Sequence, residues 1–193
     1  MSGRTIAIIP ARGGSKRLPR KNIQPIAGKP MLAWPLDAAM SLPEIGAGNV
    51  FVSTEDHEVA EVARIFGAEI IERPAELAGD QIWTEPVIRH AVELVEASSS
   101  PVDWVIWMNA SVPEIQSADI LRCLRLCQQS ALREVLTVDR AGRSMSAARV
   151  LSRDAVSQRA LSVNFAVVQL DYIDIHTQHD LEAAEARIRS RST

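Results

Sequence analysis

The segment TIAIIPARGGSKRLPRKN, residues 5–22, decides the fold. Its first six residues are an apolar run of strand length, and the adjacent glycines Gly13 and Gly14 follow Arg12, the first of the basic residues. Five of the eleven residues from Arg12 to Asn22 are basic. In open α/β sheets ligands sit beyond the carboxyl ends of the strands, so a strand that runs into such a loop places a candidate site there. Glycines at this point let the backbone approach a ligand or expose its amides to an anion. Arg12, Lys16, Arg17, Arg20 and Lys21 together supply enough cations for a polyphosphate. A solvated basic turn is the alternative that charge alone leaves open.

Outward from this loop, apolar runs of strand length alternate with amphipathic stretches of helical length. Strands are expected at NVFVST (49–54), AEIIER (68–73), DWVIWM (103–108), REVLTV (133–138) and SVNFAVVQL (162–170). Helices are expected around 30–42, over 57–67 with Gly67 as terminator, around 85–97, over 117–127 with Ser117 as N-cap, and over 177–190 with Thr177 as N-cap. Pro35 requires the first helix to begin near Trp34 or to kink there. Residues 139–161 show no clear period and read as loop or short irregular elements. The alternation is that of an α/β fold with a mainly parallel sheet flanked by helices. At 193 residues the chain suits one domain over 1–193.

Composition narrows the function. A net charge of −3 argues against a general nucleic-acid binder, so the basic loop is a local exception. No apolar window approaches the roughly 20 residues of a membrane span, and the N-terminus lacks signal-peptide features, so a cytoplasmic location is expected. Cys123 and Cys127, four apart on a helix, suit buried positions in a reducing compartment. The loop matches neither G-x-x-x-x-G-K-[ST] nor G-x-G-x-x-G, which excludes the two best-known phosphate loops.

The order of residues in 8–32 resembles the N-terminal signature of the CMP-sugar synthetases, the cytidylyltransferases that activate sialic acid and related acidic keto-sugars. The shared pattern falls on Ala11, Arg12, Ser15, Lys16, Lys21, Asn22, Gly28, Lys29 and Pro30, and a second block on Arg73, Pro74, Leu77, Ala78 and Asp80. The resemblance implies a Rossmann-like, nucleotide-diphospho-sugar-transferase-like sheet and a reaction of CTP, with Mg²⁺ or alternatively Mn²⁺, that releases pyrophosphate. It implies that Arg12 and Lys21 hold the triphosphate with Lys16 close by, beside a loop that includes Ala11, Gly13 and Ser15. It implies that Asn22, Arg73, Ala78 and Asp80 line the cytidine pocket. A loop-stabilising pair of Arg73 with Asp80 is the structural alternative.

Three departures concern the rest of the site. The family's terminal D-x-D reads Asp174-Ile175-His176, so Asp174 and His176 are the candidate metal ligands, with Asp174 also catalytic. His176 would weaken an Mg²⁺ site or shift it toward Mn²⁺. The acceptor motif Q-P-T-S-P-L-R reads NASVPEI, with Asn109 for the glutamine and Glu114 and Ile115 for Leu and Arg. Asn164 aligns with an acceptor-binding N-G-A turn whose glycine is Phe165 here. The family's dimerising protrusion is reduced, which leaves a homo-oligomer open. The leading expectation is a cytidylyltransferase acting on CTP and a small acidic sugar, with no nucleic-acid or membrane partner. Another nucleotide or acceptor, and a non-catalytic nucleotide-binding descendant, remain as alternatives.

Overall fold

β1 (Thr5–Pro10) is the middle of the fold because both its faces are apolar. Ile6, Ala7, Ile8 and Ile9 are all fully buried, Ala7 and Ile9 in one core cluster and Ile6 and Ile8 in another. A strand covered on both faces reads as an unbroken apolar run rather than as alternation. The protein is described by a computed structural model covering residues 4–46, 48–158 and 161–191.

After the basic loop comes a two-residue hairpin, β2 (Pro25–Ile26) and β3 (Lys29–Pro30). Its turn residues Ala27 and Gly28 take φ of 47° and 90°, the left-handed region that such tight turns require. Then follow α1 (Ala33–Met40), β4 (Val50–Thr54), α2 (His57–Ile65), β5 (Glu69–Glu72), α3 (Thr84–Ser98), β6 (Trp104–Met108), α4 (Ser117–Gln129), β7 (Glu134–Val138), β8 (Ser144–Ser152), β9 (Phe165–Gln169) and α5 (Gln178–Arg191). The seven-stranded sheet has the order β5-β4-β1-β6-β8-β7-β9, and only β8 runs antiparallel to its neighbours. One core layer packs α1, α2 and α4 on the sheet, a second packs α3 on the other face, and a third seats α5 against the basic loop and the small hairpin. Among the described residues no helix is long and apolar enough to cross a membrane.

The expected α/β sheet is present, with two differences in detail, at β8 and at the N-cap of α4. Residues 144–152 form a strand where irregular structure is expected. Ala147, Ala148, Val150 and Leu151 are buried on both faces, so no alternation marks the strand, and Arg149 interrupts the run. Arg149 is accommodated by an ion pair to buried Glu134 (2.5 Å) and lies over the Trp107 ring. The tight turn into β8 is set by Asp139, whose Oδ1 accepts from the amides of Ala141 and Arg143 at 2.8 and 2.9 Å. Arg159 and Ala160, in the same stretch, lie outside the described residues. The N-cap of α4 is Gln116 rather than Ser117: the Asp119 carboxylate accepts from the Gln116 amide (3.1 Å), which draws Ser117 into the first turn. Pro35 falls in the first turn of α1, where its missing N–H has no helical partner to lose, so the helix is not kinked there. Gly67 ends α2 as expected, with φ 83° and its amide donating to the Arg64 carbonyl.

Candidate active site

The carboxyl ends of β1, β4 and β6 face one edge of the sheet, and the basic loop crosses it. The loop is pinned at several points. Leu18 is buried with α5, and Asn22, itself buried, donates through Nδ2 to the Arg12 carbonyl (2.9 Å). Gly13 packs against the start of α2: its amide donates to Glu55 Oε1 (2.9 Å), and a Cβ there would lie 2.0 Å from an Asp56 carboxylate oxygen. This glycine therefore serves close packing, and its amide is already committed. Gly14, with open space around it, is the one that lines the cleft.

The five cations divide by role. Arg20 turns away from the cleft, held at φ 57° by Asp56 (2.7 and 3.1 Å) and Glu58. Arg20 in turn holds the Asp56 carboxyl below its usual range, and Asp56 caps α2 by accepting from the Val59 amide (3.0 Å). Arg12, Lys16, Arg17 and Lys21 line a cleft of about 590 Å³ together with Ser15, Asn22, Arg73, Asp80, Asn109, Ser111 and His176. That volume lies within the range of small-molecule sites. Asp80 bridges Arg12 and Lys16, with 2.5 Å to each. Arg17 makes no ion pair among the described residues.

Arg73 is buried and Lys21 half-buried. Lys21 Nζ donates to the Ile175 carbonyl (2.9 Å); burial lowers its pKa from the usual lysine value, partly offset by Asp174. Arg73 donates through Nε to Ser53 Oγ (3.2 Å) and through Nη2 to the Ser53 carbonyl, and faces Glu55 at 3.8 Å. Burial likewise lowers its pKa. The alternative pair of Arg73 with Asp80 is thus not formed; each has other partners. Ala11 is fully buried behind the loop, its amide donating to the Ser53 carbonyl (3.0 Å), and Ala78 lies between the cleft residues Leu77 and Gly79.

The far end of the cleft is built from the segment after β9. Ile175 is fully buried in the α5 cluster and its amide donates to the Ser111 carbonyl (2.9 Å), so Asp174 and His176 emerge on the same side of it. They converge: His176 Nε2 lies 3.2 Å from Asp174 Oδ2. Ser111 Oγ donates to Asp174 Oδ1 (2.7 Å), and Asn109 Nδ2 lies 3.5 Å from Oδ2. Asp180 accepts from the His176 and Thr177 amides (3.0 and 2.8 Å) while Thr177 Oγ1 caps α5, which fixes the approach of His176. Among the described residues no three acidic, His or Cys side chains form a metal cluster. One carboxylate and one imidazole side by side fit a divalent ion whose other positions are filled by ligand oxygens and water, and the nitrogen donor suits Mn²⁺ better than Mg²⁺.

One expected acceptor residue and the two departures from the acceptor motif take structural places. Asn164 is not brought to the cleft: it precedes β9, at the opposite edge of the sheet, and its Nδ2 donates to the Ala131 carbonyl (2.9 Å). The sequence match to an N-G-A turn cannot register which end of a strand it occupies. Glu114 and Ile115, where the family pattern has Leu and Arg, are structural. Ile115 is in the core, and fully buried Glu114 accepts from the Ile173 amide (2.8 Å) and faces Arg187 and Arg191 of α5 at 2.9 and 3.0 Å. Glu55 and Ser111 escaped sequence reasoning. Glu55 had a signal, since it follows β4 at the same sheet edge as the basic loop; Ser111 had none beyond its closeness to Asn109.

A mainly parallel sheet with a cation-lined cleft at its carboxyl edge is an α/β fold built to bind an anionic ligand such as a nucleotide. The family profile described as "Cytidylyltransferase" matches residues 6–141, and the chain belongs to that family. Among its relatives, pseudaminic acid cytidylyltransferase of Campylobacter jejuni (serotype O:2) is 34% identical over 120 residues, 62% of this chain and 50% of the relative. N-acylneuraminate cytidylyltransferase B of Danio rerio is 32% identical over 134 residues, 69% of this chain and 30% of the relative. The chain thus spans half or less of the length of these relatives. A solved structure, CMP:2-keto-3-deoxy-manno-octonic acid synthetase complexed with CTP, superposes with a TM-score of 0.77 at 18% identity, covering 97% of this chain and 99% of that one, which confirms the fold.

Proposed function

We propose that the protein transfers CMP from CTP to an acidic keto-sugar. The observation that carries this is a single cleft lined by Arg12, Lys16, Arg17, Lys21 and His176, in which Lys21 donates to the carbonyl of Ile175, between His176 and its neighbour Asp174. In this reaction a sugar hydroxyl oxygen attacks the α-phosphorus, the bond from that phosphorus to the oxygen bridging to the β-phosphate breaks, and pyrophosphate leaves. Positioning the two reactants and neutralising the departing charge supply most of the rate. Arg12, Lys16 and Lys21 bind the triphosphate, beside the loop carrying Ala11, Gly13 and Ser15. Asn22, Arg73 and Ala78 line the nucleoside pocket. Asn109 and Ser111 orient Asp174, and Asn109 also faces the acceptor.

A divalent ion, Mg²⁺ or Mn²⁺, would be held by Asp174 and His176, where it would neutralise charge at the reacting phosphate. The substrates are CTP and a small acid, without nucleic acid or membrane, and the protein works in the cytoplasm as one domain or an assembly of such domains. The test is to incubate the protein with CTP, Mn²⁺ or Mg²⁺ and a panel of keto-sugar acids and to measure pyrophosphate. Release that depends on one acceptor supports the function; CTP binding without turnover on any acceptor refutes it.

A further inference from the structure

The cleft contains an anion of its own. Asp80, on the segment between β5 and α3, places both carboxylate oxygens against cleft cations: Oδ1 is 2.5 Å from Arg12 Nη1 and Oδ2 is 2.5 Å from Lys16 Nζ. The neighbouring Gly79, Gln81 and Ile82 also line the cleft, so the contact lies inside the site. Both partners line the cleft and are among the cations assigned to the triphosphate. A carboxylate bridging two cations in this way has the geometry with which a phosphate would be gripped. The hydrogen bonds from Lys16 and then Arg12 hold the Asp80 carboxyl below its usual range, so it is ionised throughout the neutral range. Arg73, which faces Glu55 from β4's end, and Lys21, which donates to a carbonyl, do not contact Asp80.

We infer that Asp80 is an internal competitor for the pyrophosphate seat: it occupies Arg12 and Lys16 in the free protein, yields them to the triphosphate, and returns to help expel pyrophosphate after transfer. This rests on the proposed use of the cleft for a triphosphate. The contact is strong enough to matter and weak enough to be displaced, because the pairs are part-exposed and exposed ion pairs contribute little. Removing one unit of negative charge about 4 Å from an incoming anion in water changes binding by roughly fivefold.

The test is calorimetric titration of inorganic pyrophosphate, at fixed ionic strength, into the wild-type protein, Asp80→Asn, Asp80→Ser and a charge control, Glu76→Gln. Glu76 is exposed on the same segment and does not line the cleft. Asp80→Asn and Asp80→Ser should bind pyrophosphate about fivefold more tightly, Glu76→Gln less than twofold, and unphosphorylated cytidine should bind all four alike. Equal or weaker pyrophosphate binding by both Asp80 variants would overturn the inference while leaving the triphosphate cleft intact. So would loss of cytidine affinity in these variants alone, which would put Asp80 in the base pocket. If pyrophosphate binds none of the four, the cleft's proposed use fails and the inference with it.

Discussion

The loop of residues 11–22 and the segment of residues 109–115 cross the same edge of the sheet and have diverged in opposite ways. In the first, Arg12, Ser15, Lys16 and Lys21 of the family pattern line the cleft, and two loop residues that do not, Gly13 and Arg20, are fixed by Glu55, Asp56 and Glu58. In the second, two positions have become structural: Ile115 joins the core and Glu114 ties the segment to α5. The contrast teaches that one part of a cleft can keep its charged face while another is recruited to packing, here with Ser111 of the second segment still donating to Asp174.

The sharpest way to break this comparison is Lys21→Met. Under the proposed function this cation, which donates to the Ile175 carbonyl, binds the triphosphate, so its loss should cost on the order of 10² to 10³ in kcat/KM. Measured turnover within tenfold of wild type would place the triphosphate elsewhere. Glu114→Ala should act on stability instead. Two arginines lose a fully buried partner, and because both are themselves part-exposed the loss should be about 2 kcal/mol, toward or below the low end for a broken buried pair, read as a lower midpoint in urea. CTP affinity of the folded fraction should stay within twofold, and a tenfold drop would put Glu114 in the binding site.

Gly13→Ala separates packing from ligand contact within the loop. The added methyl meets the Asp56 carboxylate, so the variant should lose roughly 1–3 kcal/mol, with weaker protection of the α2 amides in hydrogen exchange. Unchanged protection would mean the α2 N-terminus does not rest on the loop. The pH dependence is smaller and has a defined sign. Burial lowers the Lys21 pKa, so between that lowered value and the ordinary value of about 10.5 the unfolded chain binds more protons than the folded one. Lys21's contribution to stability should therefore rise with pH across this alkaline window, while pyrophosphate affinity falls as the ammonium is lost; Lys21→Met should flatten both trends. The smallest effect is His176→Asp, which should shift the metal preference of CTP turnover several-fold from Mn²⁺ toward Mg²⁺. An unchanged preference would remove His176 from the metal site.

Legibility in the sequence follows the same division. β1 and its loop were legible because a run buried on both faces is visible as an apolar run and because the basic loop keeps its residue order. β8 was not, since Ala147, Ala148 and Arg149 carry neither alternation nor β-branched enrichment, and its place in the sheet depends on Glu134 and Trp107 from other strands. Asn164 was misplaced because a short motif carries no information about which sheet edge it will occupy. Asp174 and His176 were legible as a candidate pair from the D-x-D position, but their convergence was not, since it depends on the burial of Ile175 between them. Ser111 and the Asp80 bridge were not, for their partners are distant in sequence.

The most direct measurement is a crystal structure of the protein soaked with CTP and Mn²⁺. The β- and γ-phosphates should lie within hydrogen-bonding distance of Arg12, Lys16 and Lys21, with Asp80 displaced and the ion between Asp174 and the α-phosphate. A triphosphate seated away from these cations, with the Asp80 bridge still closed, would contradict the assignment of the cleft.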